Sequence, residues 1–257
     1  MNASVNYHVK KPFTQAFEFD VDGIDGNLVS PELDTTGVNV CDLRESQTNT
    51  VFEVHGITFL EKLNAVAYPF TAKQEQVYNK EIQTLLSTHV RAKDVLVFDH
   101  TIRIDDESAS RRPARNVHND YSEKGIQQRL IDLVGEQKAA EYNKGHFGFV
   151  NIWRPVEDTI MSSPLGFICP DSMNDEDWMT IALKYPDRQG EILGVAANRQ
   201  HRWFYKSKMQ VDEAIIFNIY DNKGLPHLAH SALDMKEEGA ADNIVRKSIE
   251  SRMLVKY

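Results

Sequence analysis

Arg115-Asn116-Val117-His118-Asn119-Asp120-Tyr121 is the stretch on which the reading of this chain turns. It carries His118 and Asp120 two residues apart. On an extended strand alternate side chains project to one face, so this imidazole and this carboxylate would stand side by side. A neutral nitrogen donor beside a hard oxygen donor is two thirds of a 2-His-1-carboxylate set, which grips Fe(II) on one face and leaves the other positions open. The same spacing also arises in ordinary surface turns. It gains weight from what stands downstream.

The missing ligand is a distal histidine on a late strand, and Pro226-His227-Leu228-Ala229-His230-Ser231-Ala232 offers two. They are three residues apart, so on a strand they face opposite sides and only one enters a barrel. Further on stands Arg246-Lys247-Ser248, whose first and third side chains share a face. A guanidinium fork beside a hydroxyl suits one end of a dicarboxylate. Arg246 follows His230 by sixteen residues (246 minus 230), enough for a turn and a return strand. Glu250 and Arg252 continue the same face and could pair with each other.

Around this frame helices gather in the first half and strands in the second. Thr71 is placed to cap an amphipathic helix running to His89 on Val77, Ile82, Leu85 and Leu86, and a second helix is expected over 123–140. Residues 51–60 read as β-rich, and strands are expected over 94–103, 148–155, 164–169, 178–183, 191–197, 202–206, 212–220, 227–233 and 248–256. In the 148–155 run Phe149, Asn151 and Trp153 share one face, and Val150, Ile152 and Arg154 the other. Polar Asn151 between two aromatics suggests a pocket wall or a hydrogen-bonded core asparagine. Residues 1–50 read as a polar arm with a short strand near Phe17–Val21 and a Gly23-Ile24-Asp25-Gly26 turn. The expectation is one domain over 1–257, with a mainly β jelly-roll core over 51–257 and helices on its outside.

With 257 residues, 41% of them hydrophobic, the chain can bury a sizeable core. A net charge of -9 argues against a nucleic-acid or anionic-membrane partner. Cys41 and Cys169 lie far apart and read as free thiols of a reducing compartment. The first residues lack a basic segment followed by an apolar one, and no apolar run approaches the ~18 residues of a membrane span. The expectation is a cytoplasmic protein acting on a small-molecule substrate, with a homodimer left open.

Several ordered motifs over roughly residues 50–257 resemble the asaB-type hydroxylase/desaturase family. That group includes the small subunit of the cephamycin methoxylase system and gibberellin desaturase-like proteins. The motifs are Arg112-Pro113-Ala114 ahead of His118-x-Asp120, Asn151-x-Trp153-Arg154-Pro155, and His201-Arg202-Trp203-Phe204-Tyr205. Met209, Asp212-Glu213, Tyr220-Asp221, His230-Ser231-Ala232 and Arg246-x-Ser248-Ile249-Glu250-x-Arg252 complete the series.

The resemblance implies a cupin-like double-stranded β-helix that uses nonheme Fe(II), 2-oxoglutarate and O2. It favours His230 over His227 and assigns His118, Asp120 and His230 to the metal, with Arg246 and Ser248 on the co-substrate's distal carboxylate. The implied reaction is hydroxylation, desaturation or oxidative ring closure of a small molecule of secondary metabolism. Trp153, Trp203 and Phe204 are candidate substrate walls, with Asn151 and Arg154 as candidate polar contacts. Two rivals stand beside this reading: a zinc-dependent hydrolase on the same ligands, and a non-catalytic jelly-roll binding protein.

Overall fold

Runs in which every second side chain is apolar give this chain sixteen strands among its described residues. The computed structural model describes residues 1–24, 27–46, 49–68, 70–236 and 244–257; Asp25 and Gly26 of the expected turn lie outside them. The early strands are β1 (Asn2–His8), β2 (Ala16–Phe19), β3 (Leu28–Val29) and β4 (Leu33–Asp42). A helical turn α1 (Phe52–His55) precedes β5 (Ile57–Leu60), and helix α2 (Ala72–His89) precedes β6 (Asp94–Ile104). Next come the short β7 (His118–Asn119), α3 (Glu123–Val134), α4 (Glu136–Lys144) and β8 (Phe147–Pro155). The second half is strand: β9 (Leu165–Ile168), β10 (Trp178–Lys184), β11 (Gln189–Val195) and β12 (Trp203–Tyr205). It ends with β13 (Ala214–Asp221), β14 (His230–Ala232), β15 (Asp234–Met235) and β16 (Lys247–Lys256).

Eight of these strands pair in nested order. β6 lies against β16, β7 against β14, β8 against β13 and β9 against β12, all antiparallel. First with last, second with seventh, and so inward, is the pairing of a jelly roll. It produces two facing sheets, β5-β13-β8-β16-β6 and a larger one whose centre runs β12-β9-β14-β7. The fold is a mainly β double-stranded β-helix.

Between the sheets lie Phe149, Trp153, Phe167, Phe204 and Phe217, and Ile126 and Leu130 of α3 pack into the same cluster. Against the outer face of the five-stranded sheet, Tyr78, Ile82 and Leu86 of α2 cover Val150, Ile152 and Ile216. Helix α2 starts where the sequence places it, because Thr71 and Gln74 form a reciprocal capping box. None of the helices among the described residues is long and apolar enough to cross a membrane.

Four local features depart from the expectations. Residues 52–55 form α1 rather than strand, because Gly56 takes a left-handed φ of 70°. A Cβ there would lie 2.1 Å from the Pro226 carbonyl oxygen, so only glycine fits the approach. The helix expected over 123–140 divides at Gly135, φ 79°, into α3 and α4. The expected arm contributes β1 and β4 to the large sheet: Ala3, Val5 and Tyr7 are buried with Val40 and Trp203 on the face turned away from the barrel interior, while Asn2, Ser4 and Asn6 alternate with them. Finally, β6 carries a bulge, since Arg252 faces Asp99 while Met253 faces Val97, leaving Phe98 as the extra residue.

Candidate metal centre

The nested pairing places His118 of β7 directly across from His230 of β14. Their rings hang from facing positions, with centroids 4.5 Å apart. Asp120, one residue beyond β7, brings Oδ1 to 3.5 Å from His118 Nε2 and 3.8 Å from His230 Nε2. Ligand atoms of all three residues lie within 4.8 Å of one another, the one such group among the described residues. Each ring is fixed through its other nitrogen. His118 Nδ1 meets the Asn116 carbonyl at 2.8 Å, and His230 Nδ1 meets that of Leu228 at 3.0 Å. A carbonyl only accepts, so Nδ1 carries the proton and both Nε2 lone pairs face the cluster.

Electrostatics prepare the trio in the same sense. Burial, helped by the neighbouring His118, lowers the His230 pKa to about 3 and keeps the ring neutral. Burial works against ionisation of Asp120, yet the Arg252 guanidinium and the two histidines hold its carboxyl well below the usual carboxylate range. Asp120 Oδ2 accepts from Asn151 Nδ2 at 2.8 Å and from Arg252 Nε at 3.0 Å. One oxygen is therefore tied back while the other faces the histidines. Arg252 is itself anchored by Asp99 Oδ2 at 2.6 Å, by Thr101 Oγ1 at 3.1 Å and by Glu250. Two imidazole nitrogens and one anionic oxygen, with a dry wall of Phe167 and Phe217 against His230, form a donor set suited to Fe(II).

Arg246 stands on the residue before β16, 2% exposed, with its Cζ 5.3 Å above the Trp153 ring. Nη2 donates to Ser248 Oγ at 3.3 Å and Nη1 to the Ser163 carbonyl. Its Nε is buried without an acceptor, and no carboxylate of the described residues pairs with it. Burial lowers its pKa to about 9, which still leaves it charged at neutral pH. A buried guanidinium with no carboxylate in direct contact costs several kcal/mol unless an anion meets it, so Arg246 and Ser248 fit the distal carboxylate of a 2-oxo-dicarboxylic acid.

A family model described as an oxidoreductase/YMDC permease-like domain matches residues 5–256. The chain belongs to this family. Its curated relatives bear out the hydroxylase/desaturase resemblance. The hydroxylase/desaturase efuI of Hormonema carpetanum is 27% identical over 253 residues, covering 86% of this chain and 83% of its own. The alpha-ketoglutarate-dependent dioxygenase tstK of Talaromyces stipitatus is 25% identical over 281 residues, covering 98% and 99%. Among solved structures, the iron and alpha-ketoglutarate-dependent endoperoxidase NvfI superposes with a TM-score of 0.87 at 20% identity, covering 100% of this chain and 97% of that one. At that identity the likeness concerns the fold.

Within this family fold, the residues singled out from the sequence separate into two groups. His118, Asp120, His230, Arg246, Ser248, Asn151, Trp153 and Phe204 all face the space between the sheets. His227 stands apart from the cluster and stacks on Trp178 at 4.8 Å. Two expected substrate contacts are corrected. Arg154 points through the sheet to the α2 side, where it pairs with Glu81 and the Asn64 carbonyl. Its parity on β8 sends it there, opposite to Asn151 and Trp153. Trp203 faces away from the barrel interior and donates from Nε1 to Tyr7 Oη at 2.9 Å, in a buried chain that continues to His201 and Asp177. Neither can touch a molecule held between the sheets. Asn151, expected as a pocket wall, instead orients Asp120. Arg252 in this role and Phe98 at the bulge were not anticipated.

Proposed function

We propose that His118, Asp120 and His230 hold Fe(II), that Arg246 and Ser248 grip the distal carboxylate of 2-oxoglutarate, and that the protein uses O2 to hydroxylate, desaturate or oxidatively close a ring on a small molecule of secondary metabolism. The observation that carries this reading is the convergence of two Nε2 atoms and one carboxylate oxygen in the same inter-sheet space as a buried guanidinium that no carboxylate contacts directly. Family membership and the hydroxylase/desaturase and dioxygenase names of efuI and tstK point the same way.

Bound Fe(II) with 2-oxoglutarate would supply oxidative decarboxylation coupled to removal of hydrogen from an unactivated C–H bond. The chain's own part is placement and exclusion. The Asn116 and Leu228 carbonyls keep both imidazoles in the ligating tautomer, and Asn151 and Arg252 keep Asp120 turned toward them. Trp153 supports the Arg246 guanidinium, and Phe167, Phe204 and Phe217 exclude water from the centre. We further read the chain as one oxygenase domain, since β1 and β4 are hydrogen-bonded into the sheet that carries β7 and β14. Its acidic balance and the free thiols Cys41 and Cys169 support a cytoplasmic enzyme without a nucleic-acid partner.

The test is spectroscopic. Anaerobic addition of Fe(II) and 2-oxoglutarate gives a visible metal-to-ligand charge-transfer band that His118→Ala abolishes and Arg246→Ala weakens. A colourless mixture, or hydrolysis supported by zinc, sinks the oxygenase reading.

A further inference from the structure

One cation at the barrel mouth has no assigned task. Arg129, on α3, is half-buried, and its side chain makes no hydrogen bond or ion pair with any described residue. Its Nε is shut off from solvent without an acceptor, and its Cζ rests 4.7 Å above the Phe98 ring. Phe98 reaches that position because the β6 bulge turns it to the same side as Asp99. Phe98 packs edge-on against Phe149 at 5.8 Å, and Tyr121 packs against Phe149 at 5.8 Å. Three rings thus form a wall beneath one unpaired guanidinium.

This wall adjoins the metal trio along three separate segments. Tyr121 follows Asp120. Phe149 shares a face of β8 with Asn151, which bonds Asp120. Asp99, beside Phe98, holds Arg252, which bonds the same carboxylate. Charge gives a second, independent argument. The guanidiniums around this space are Arg103, Arg115, Arg129, Arg246 and Arg252, and the carboxylates are Asp99, Asp105, Asp120 and Glu250. Arg103, opposite Ser248 on β6, donates to the Arg112 carbonyl and pairs with no carboxylate of the described residues. Five positive charges against four negative ones leave one positive. Fe(II) and the 2-oxoglutarate dianion cancel each other, so the surplus survives loading of the centre.

We propose that Arg129 anchors the substrate, and that the substrate is a flat, unsaturated monocarboxylic acid. Its apolar body lies against Phe98 and Tyr121, which Phe149 backs from beneath, and its carboxylate meets Arg129. The oxidation of that molecule rests on the Fe(II)/2-oxoglutarate reading, whereas its binding to Arg129 does not.

The probes are 1-naphthoate and its neutral isostere 1-naphthamide, titrated calorimetrically into the protein saturated with Mn(II) and 2-oxoglutarate, and again into the metal-free protein. The acid binds about tenfold tighter than the amide or better, the weight of one charge-assisted hydrogen-bonded contact. Arg129→Gln erases the difference, Arg129→Lys keeps part of it, and Arg202→Gln, at an exposed guanidinium paired with Asp171, leaves it unchanged. Equal affinities, no measurable binding of either probe, or discrimination that survives Arg129→Gln overturns the proposal. An unchanged charge-transfer band in Arg129→Gln shows that the variant is folded around an intact centre. Absence of that band in the wild type overturns the oxygenase reading instead, and the naphthoate comparison still decides the role of Arg129.

Discussion

Replacing Asn151 by alanine separates a residue that touches substrate from one that aims a metal ligand. Asn151 is 1% exposed and donates a single hydrogen bond, at 2.8 Å, to Asp120 Oδ2. A hydrogen bond to a charged group is worth about 1.5–3 kcal/mol, which is roughly tenfold to 150-fold in binding. Arg252 Nε remains on the same oxygen at 3.0 Å, so the carboxylate is loosened rather than freed and the lower part of that range applies. The Ala variant is expected to bind Mn(II) about ten- to thirtyfold more weakly, in line with the general cost of removing a partner of a ligating side chain. The assay is a calorimetric titration of Mn(II) in the presence of 2-oxoglutarate, with a thermal melt to show that the variant is folded. Affinity within twofold of wild type would refute the aiming role, and a change confined to substrate KM would restore Asn151 to the pocket wall.

Other consequences concern charge and packing. Folded His230 titrates near about 3 while the unfolded residue titrates near 6.5, so the unfolded chain binds the extra proton and metal-free stability falls as pH falls through that window. His230→Gln should flatten this slope, removing roughly 1.5 kcal/mol of the loss between about pH 6.5 and 5 in urea titrations. Arg252→Met strands the Asp120, Asp99 and Glu250 carboxylates and is expected to cost about 3–5 kcal/mol at neutral pH. Arg252 holds Asp120 below its unfolded value of 3.8, so that stabilisation is present above this value and is lost only as pH falls below it, and the variant's deficit should persist down to that pH and shrink beneath it. Trp203→Phe removes the hydrogen bond to Tyr7 and should lower stability by about 1–2 kcal/mol while leaving the 2-oxoglutarate affinity unchanged.

What could be read in the chain beforehand followed from strand parity. His118 and Asp120, two apart, and Arg246 and Ser248, two apart, reach one space because period-two alternation needs no tertiary information. The same rule sent Arg154 outward, and the alternation on β8 already carried that answer. Trp203 was harder, because β12 is covered on both sides and its neighbours Trp203, Phe204 and Tyr205 are all buried. Burial without contrast does not say which face is which. Phe98 broke the rule through a bulge, which appears only once β6 is aligned with β16. Arg252 acts on partners 132 and 153 residues away, a distance no local pattern spans. On β1 the alternation was legible, but the polar, outward-facing half of β4 disguised its partner.

The opposition of His118 and His230 carries a further implication. Those positions are 112 residues apart (230 minus 118), and no shorter fragment of the chain offers both imidazoles to one ion. Metal capture must therefore wait for closure of the roll, and an ion that prefers the closed form stabilises it in proportion to its occupancy, by about 2.7 kcal/mol at a hundredfold excess over its dissociation constant. Iron supply would then govern how long each molecule survives proteolysis as well as how fast it turns over.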